Sequence, residues 1–144
     1  MRGRACIRGI LILSLLGFCW VSPATFGQNT PVGKVLQSER MRALITTDGL
    51  VSVTDPSDRH GVDIISSRAP WGRIKIVYRT GNGQWIERPY DRPNSVTTEG
   101  NRVVLNSDDK GDPVTLRQSF TLAGHLLDYE LEICTREGTE VEIG

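Results

Sequence analysis

The chain has 144 residues, 17 of them basic and 17 acidic, with three cysteines and two histidines. That length holds one domain. The balanced charge, with no clustered Lys and Arg, excludes an electrostatic footprint for DNA or RNA and a basic membrane-binding face.

The chain opens on "MRGRACIRG", with Arg2, Arg4 and Arg8 and no acid, then the apolar "ILILSLLGFCWV" and the small-residue stretch "SPATFGQ". This is the order of a secretory signal peptide, read here as residues 1–27, with cleavage after Ala24 or Gly27 and a helical leader. Its apolar run is shorter than the roughly 20 residues that span a bilayer. The reading implies export to the periplasm or beyond and no membrane attachment once the leader is gone. A lipoprotein anchor at Cys19 is disfavoured by bulky Phe18. Removing the leader's three arginines leaves 14 basic against 17 acidic residues. It also removes Cys6 and Cys19, so Cys134 would stand alone, a small buried or half-buried side chain in a strand.

Residues 28–40, beginning "QNTPVGK", read as a mobile start, and residues 41–144 as the folded domain. From there, short alternating runs are punctuated by turn signals. "MRALITT" and "LVSVT" flank Asp48-Gly49, a pair suited to a type I′ hairpin turn. In "RIKIVYR", Ile74, Ile76 and Tyr78 face one way and Arg73, Lys75 and Arg79 the other. "TGNG" then turns the chain into "QWIERPY". "SVTT", "EGN" and "RVVLN" predict another hairpin, and "SDDKGDP" a long turn. "VTLRQSFTL" places Val114, Leu116, Phe120 and Leu122 on one face, with Gln118 as the polar exception. "LLDYELEICTR" places Leu127, Tyr129, Leu131 and Ile133 opposite Asp128, Glu130 and Glu132. Period-2 alternation of this length means one face in a core and one in solvent. The predicted fold is all-β, an antiparallel β-sandwich. The closing "EVEIG" reads as a strand just beginning, so the domain is expected to be incomplete at its C-terminus.

Asp55, Asp58, His60 and Asp63 are the densest cluster of chemistry-bearing residues. Their spacing fits neither an EF-hand loop nor a zinc site, since one His without Cys partners is too few soft ligands. Asp55-Pro56 and Ser57-Asp58 start turns instead, through bonds to their own backbone. Asp108 and Asp112, in "DDKGD", read as a solvated turn in the same way. Asp128, Glu130 and Glu132 could supply the paired carboxylates of a glycosidase, but any strand with a wet face carries such a row. No nucleotide loop, serine elbow or "HExxH" occurs. The sequence therefore names no catalytic residue, no metal and no cofactor. Trp71, Trp85 and Tyr90 are the candidate ligand-binding residues, because exposed aromatic rings stack on the apolar faces of sugars. Burial in the core is the competing fate.

"DGLVSVTDPSDRHGVDIIS" resembles the opening of galactose-mutarotase-like β-supersandwich domains, with Gly49, Leu50, Ser52, Val53 and Asp55 in the matching places. "LRQSFTLAGHLLDYELEICTREGTEVEIG" is similar to a later strand pair of those domains, through Leu127, Tyr129, Leu131, Ile133, Val141, Ile143 and Gly144. The resemblance spans residues 41 to 144 and its motifs are structural. It implies a carbohydrate-active protein: the N-terminal sandwich of a secreted glycoside hydrolase or polysaccharide lyase, partnered by a following catalytic domain. Standalone sugar epimerases share the fold, but their catalytic His and Glu match no residue here. The alternative is a non-catalytic exported sandwich that binds a glycan or a protein.

Overall fold

The computed structural model describes residues 4–13, 33–65, 70–89, 93–108 and 111–143. Eleven strands follow one another in the described residues: β1 (Arg4–Leu13), β2 (Lys34–Gln37), β3 (Arg42–Thr46), β4 (Gly49–Thr54), β5 (Lys75–Thr80), β6 (Ile86–Pro89), β7 (Ser95–Glu99), β8 (Arg102–Ser107), β9 (Val114–Ala123), β10 (Leu126–Arg136) and β11 (Thr139–Ile143). They form a five-stranded sheet in the order β1-β10-β9-β8-β7 and two three-stranded sheets, β11-β5-β6 and β2-β3-β4. Every pairing is antiparallel.

The two small sheets each pack on the five-stranded sheet through a buried cluster. The long β9–β10 hairpin explains how. At its turn end, Phe120, Leu122, Leu127 and Tyr129 pack with Leu36, Met41, Ala43, Ile45, Leu50 and Val53 of the β2-β3-β4 side. At its open end, Val114, Leu116 and Ile133 pack with Ile76 and Tyr78 of β5, and half-buried Val141 of β11 joins them. Ile74 and Leu131 touch both clusters. The alternation read from "VTLRQSFTL" and "LLDYELEICTR" is thus the inner face of a sandwich, and the all-β expectation holds.

Four details depart from the sequence reading. The leader was expected to be helical, yet Arg4–Leu13 is extended and pairs with β10 over ten residues. A helix this short is marginal in water, whereas a strand rich in Ile and Leu can satisfy its backbone along an open sheet edge. The rest of the leader, including both cleavage points, lies outside the described residues. Second, residues 28–40 are not simply a mobile start, because Lys34–Gln37 is β2 and Leu36 is buried in the core. Third, the β3–β4 hairpin forms without a type I′ turn. Thr46 pairs with Gly49 around a Thr47-Asp48 loop, and among the described residues only glycines have positive φ. Asp48 donates its N–H to Thr46 Oγ1 at 3.0 Å instead. Gly49 itself, at φ 101°, answers a different demand: a Cβ there would lie 2.4 Å from the Trp71 carbonyl oxygen.

The fourth concerns Cys134. It is half-buried, within the expected buried or half-buried range, but it is disulfide-bonded, which a chain stripped of its leader could not achieve internally.

Candidate functional site

The acidic cluster near the β4 end resolves into turn chemistry. Asp55 Oδ1 accepts from the Ser57 N–H at 2.8 Å and from its hydroxyl at 2.7 Å. Asp58 accepts from the N–H groups of His60 and Val62, at 2.9 and 3.0 Å. The Ser57 bonds hold the Asp55 carboxyl below the usual carboxylate range, and those of His60 and Val62 do the same for Asp58. Asp63 reaches further. Its Oδ1 takes the N–H groups of Val53 and Ile65, at 2.9 and 3.0 Å, so it satisfies a backbone donor on the edge of β4 at Val53. Each aspartate is thus engaged with nearby backbone donors, as turn chemistry requires. Among the described residues, no group of three or more His, Cys, Asp or Glu is arranged to hold a metal ion.

The second acidic stretch divides. Asp108 is exposed, and its carbonyl accepts from Asn94 Nδ2 at 3.0 Å. Asp112 is buried and forms an ion pair with Arg88 of β6. It ties the β8–β9 turn to the other layer, where the sequence suggested a solvated turn. The carboxylate row on β10 is half-buried rather than freely wet. Glu130 accepts from Arg102 Nη2 at 2.9 Å, and that nitrogen also donates to Ser119 Oγ at 2.7 Å. This is a structural network across β8, β9 and β10. Beside it, a polar hollow of about 590 Å³ is lined by Asn94, Asn106, Asp108, Arg117 and Glu132 among others. It contains no aromatic platform.

The three aromatic candidates part ways. Trp71 is pinned by its backbone, which exchanges both bonds with Leu50 at 2.8 and 2.9 Å. Its ring packs edge-on against Tyr129 and Phe120, at centroid distances of 4.6 and 6.2 Å. The ring thus packs against the core while staying partly exposed, a placement that the Pro-Trp-Gly setting concealed. Gly72 completes the arrangement at φ 94°, where a Cβ would press on Gln118 and Phe120. Tyr90 lies outside the described residues. Trp85 alone of the three is shown as a surface aromatic, 42% exposed.

Trp85 stands just before β6, next in register to the Tyr78–Ile86 pair. The Arg79 guanidinium lies over its ring at 4.8 Å from the centroid. Arg79 in turn donates through Nε and Nη2 to Glu140 Oε2, at 2.9 and 2.6 Å, and Glu140 is its direct partner on β11. One row therefore crosses the small sheet as indole, guanidinium, carboxylate. The row two residues along β5 sets Val77 between Glu87 and Glu142, and Lys75 Nζ meets Glu87 at 2.8 Å. The result is a shallow charged face with one aromatic corner, its side chains held by cross-strand partners. Arg79 and Glu140 were missed by sequence reasoning. The alternation of "RIKIVYR" marked Arg79 as outward, but only the β5–β11 register reveals its partner.

Comparison with protein-family models, curated proteins and solved structures yields no match to this chain.

Proposed function

We propose that the chain is an exported carbohydrate-active protein whose β11-β5-β6 face contacts a glycan, with Trp85 as the stacking platform and Arg79 and Glu140 as fixed hydrogen-bonding partners. The observation that carries this reading is the half-exposed Trp85 held in a row with Arg79 and Glu140. An indole offers an apolar plane to the C–H face of a pyranose. A guanidinium donates and a carboxylate accepts, which suits adjacent sugar hydroxyls. Because cross-strand contacts already hold these side chains, ordering them on binding costs little entropy. The arginine-flanked apolar start, the absence of a basic face and the resemblance to mutarotase-like sandwiches support the same reading. Catalysis would belong to a partner domain, as the resemblance implies.

The test is binding of the full chain to a polysaccharide panel by affinity electrophoresis, followed by titration with the best oligosaccharide. Trp85→Ala is expected to weaken binding about 10-fold or more, a loss of about 1.4 kcal/mol or more, with an unchanged melting temperature. Trp71→Ala, by contrast, is expected to unfold the sandwich. Unaltered glycan affinity in a folded Trp85→Ala variant would sink the proposal. The other reading, a protein-binding face, draws on the same pair, because Trp and Arg dominate interface hot spots. Failure of the whole glycan panel would favour it.

A further inference from the structure

The outer edge of the five-stranded sheet carries an observation that the glycan face does not use. β1 and β10 run antiparallel without a break in register, from Arg4 opposite Arg136 to Leu13 opposite Leu127. Cys6 lies directly opposite Cys134 in that register, and Cys134 is disulfide-bonded. Directly opposed residues of an antiparallel pair have Cα atoms about 4.5 or 5.5 Å apart, within the roughly 4.4–6.8 Å that a disulfide spans. The remaining cysteine, Cys19, lies beyond the end of β1.

We propose that Cys6 and Cys134 form a structural disulfide that fastens the N-terminal strand to the edge of the sheet, making residues 4–13 part of the folded domain. The pairing does not depend on the export reading, since the cleaved leader of that reading would carry Cys6 away. Formation needs a disulfide oxidant, such as oxidised glutathione. One protein thiolate attacks the oxidant's disulfide, forming a mixed disulfide and releasing one oxidant thiolate. The second protein thiolate then attacks the mixed disulfide and releases the other. Two protein thiols are oxidised and one oxidant disulfide is reduced to two thiols. An uninterrupted chain with this bond keeps its first residues, so cleavage after Ala24 or Gly27 and a stapled β1 are competing outcomes. With the bond in place, the β10 edge is closed. Without β1, its backbone groups offer a template for another strand.

The experiment is non-reducing peptide mapping of the full chain, refolded in a glutathione redox buffer and alkylated before digestion. The expected result is a linked pair of peptides containing Cys6 and Cys134, with Cys19 alkylated. Cys6→Ser and Cys134→Ser should each abolish the link, and Cys19→Ser should keep it. Hydrogen exchange at Leu126–Arg136 should quicken on reduction and in Cys6→Ser. Alkylation of Cys134 in the oxidised chain, its linkage to Cys19 or to a second molecule, or an exported protein beginning after residue 24 or 27 would each overturn the proposal. Glycan binding through Trp85 lies on the other layer, so either idea can fail without the other.

Discussion

Tyr129 and Gln118 show what a single polar pair does inside this sandwich. Gln118 interrupts the apolar face of β9, and as an unpaired buried amide it would be costly. The Tyr129 hydroxyl donates to its Oε1 at 3.0 Å across the β9–β10 pair, and both residues are buried. The sequence marked Gln118 as an exception without naming its partner, because alternation says which face a residue takes and nothing of its neighbour's chemistry. Burial also pushes the phenol up to about 12. The folded state therefore holds this proton up to about pH 12, while the unfolded chain releases it near 10. Between those values the unfolded state binds fewer protons, so stability falls as pH rises. The fall amounts to about 3 kcal/mol over the interval, at about 1.4 kcal/mol per unit. Tyr129→Phe should cost about 1–2 kcal/mol at neutral pH, through the orphaned amide oxygen, and should lose this alkaline decline. Urea midpoints at pH 7, 10 and 11 check both. Parallel declines in the two proteins would show that another group governs the alkaline limb.

At the scale of the element, strands were legible and their neighbours were not. Period-2 alternation located β5, β9 and β10, whose apolar faces line a core, while turn signals located β3, β4 and β8. β2 escaped notice because a four-residue strand contributes one buried residue, Leu36, too few for a pattern. Asp112 read as turn chemistry, and its burial depends on Arg88 arriving from another sheet. The same limit applies to the candidate site. Trp71 and Trp85 look alike in sequence, and only the Leu50–Trp71 bridge shows which one is committed to the core. Gly49 illustrates it most sharply. Gly49 and Gly100 both read as hairpin glycines, and both have positive φ. A Cβ at Gly100 meets nothing within 4 Å, while one at Gly49 meets the Trp71 carbonyl oxygen. Gly100→Ala should therefore cost only the left-handed backbone penalty, about 1–2 kcal/mol. Gly49→Ala should cost clearly more, since the bridge that anchors Trp71 must also shift. Equal urea midpoints for the two variants would mean that the bridge yields freely.

Across the whole molecule, the question is whether two small sheets on one large sheet make one cooperative unit or two. Each cluster alone is modest: the one under β5 and β11 has five buried residues, two of them from β5, and the one under β2-β3-β4 has twelve, six of them from that side. Two features join them. β9 and β10 run unbroken beneath both, and Leu131 and Ile74 pack against both. A cavity in the smaller cluster should therefore weaken the larger one's anchor as well. Ile76, fully buried on β5, is the sharpest probe. Ile76→Ala should destabilise by about 2–5 kcal/mol. In a Trp20→Phe, Trp85→Phe background, Trp71 becomes the only fluorophore of its kind, and it belongs to the other cluster. One-unit behaviour requires that Trp71 fluorescence and far-UV circular dichroism fall together at the lowered midpoint. Two-unit behaviour would leave the Trp71 transition where it was, with an earlier partial loss of dichroism from β5, β6 and β11. The first outcome is expected, because β9 and β10, which would have to part to separate the lobes, are continuous through both cores.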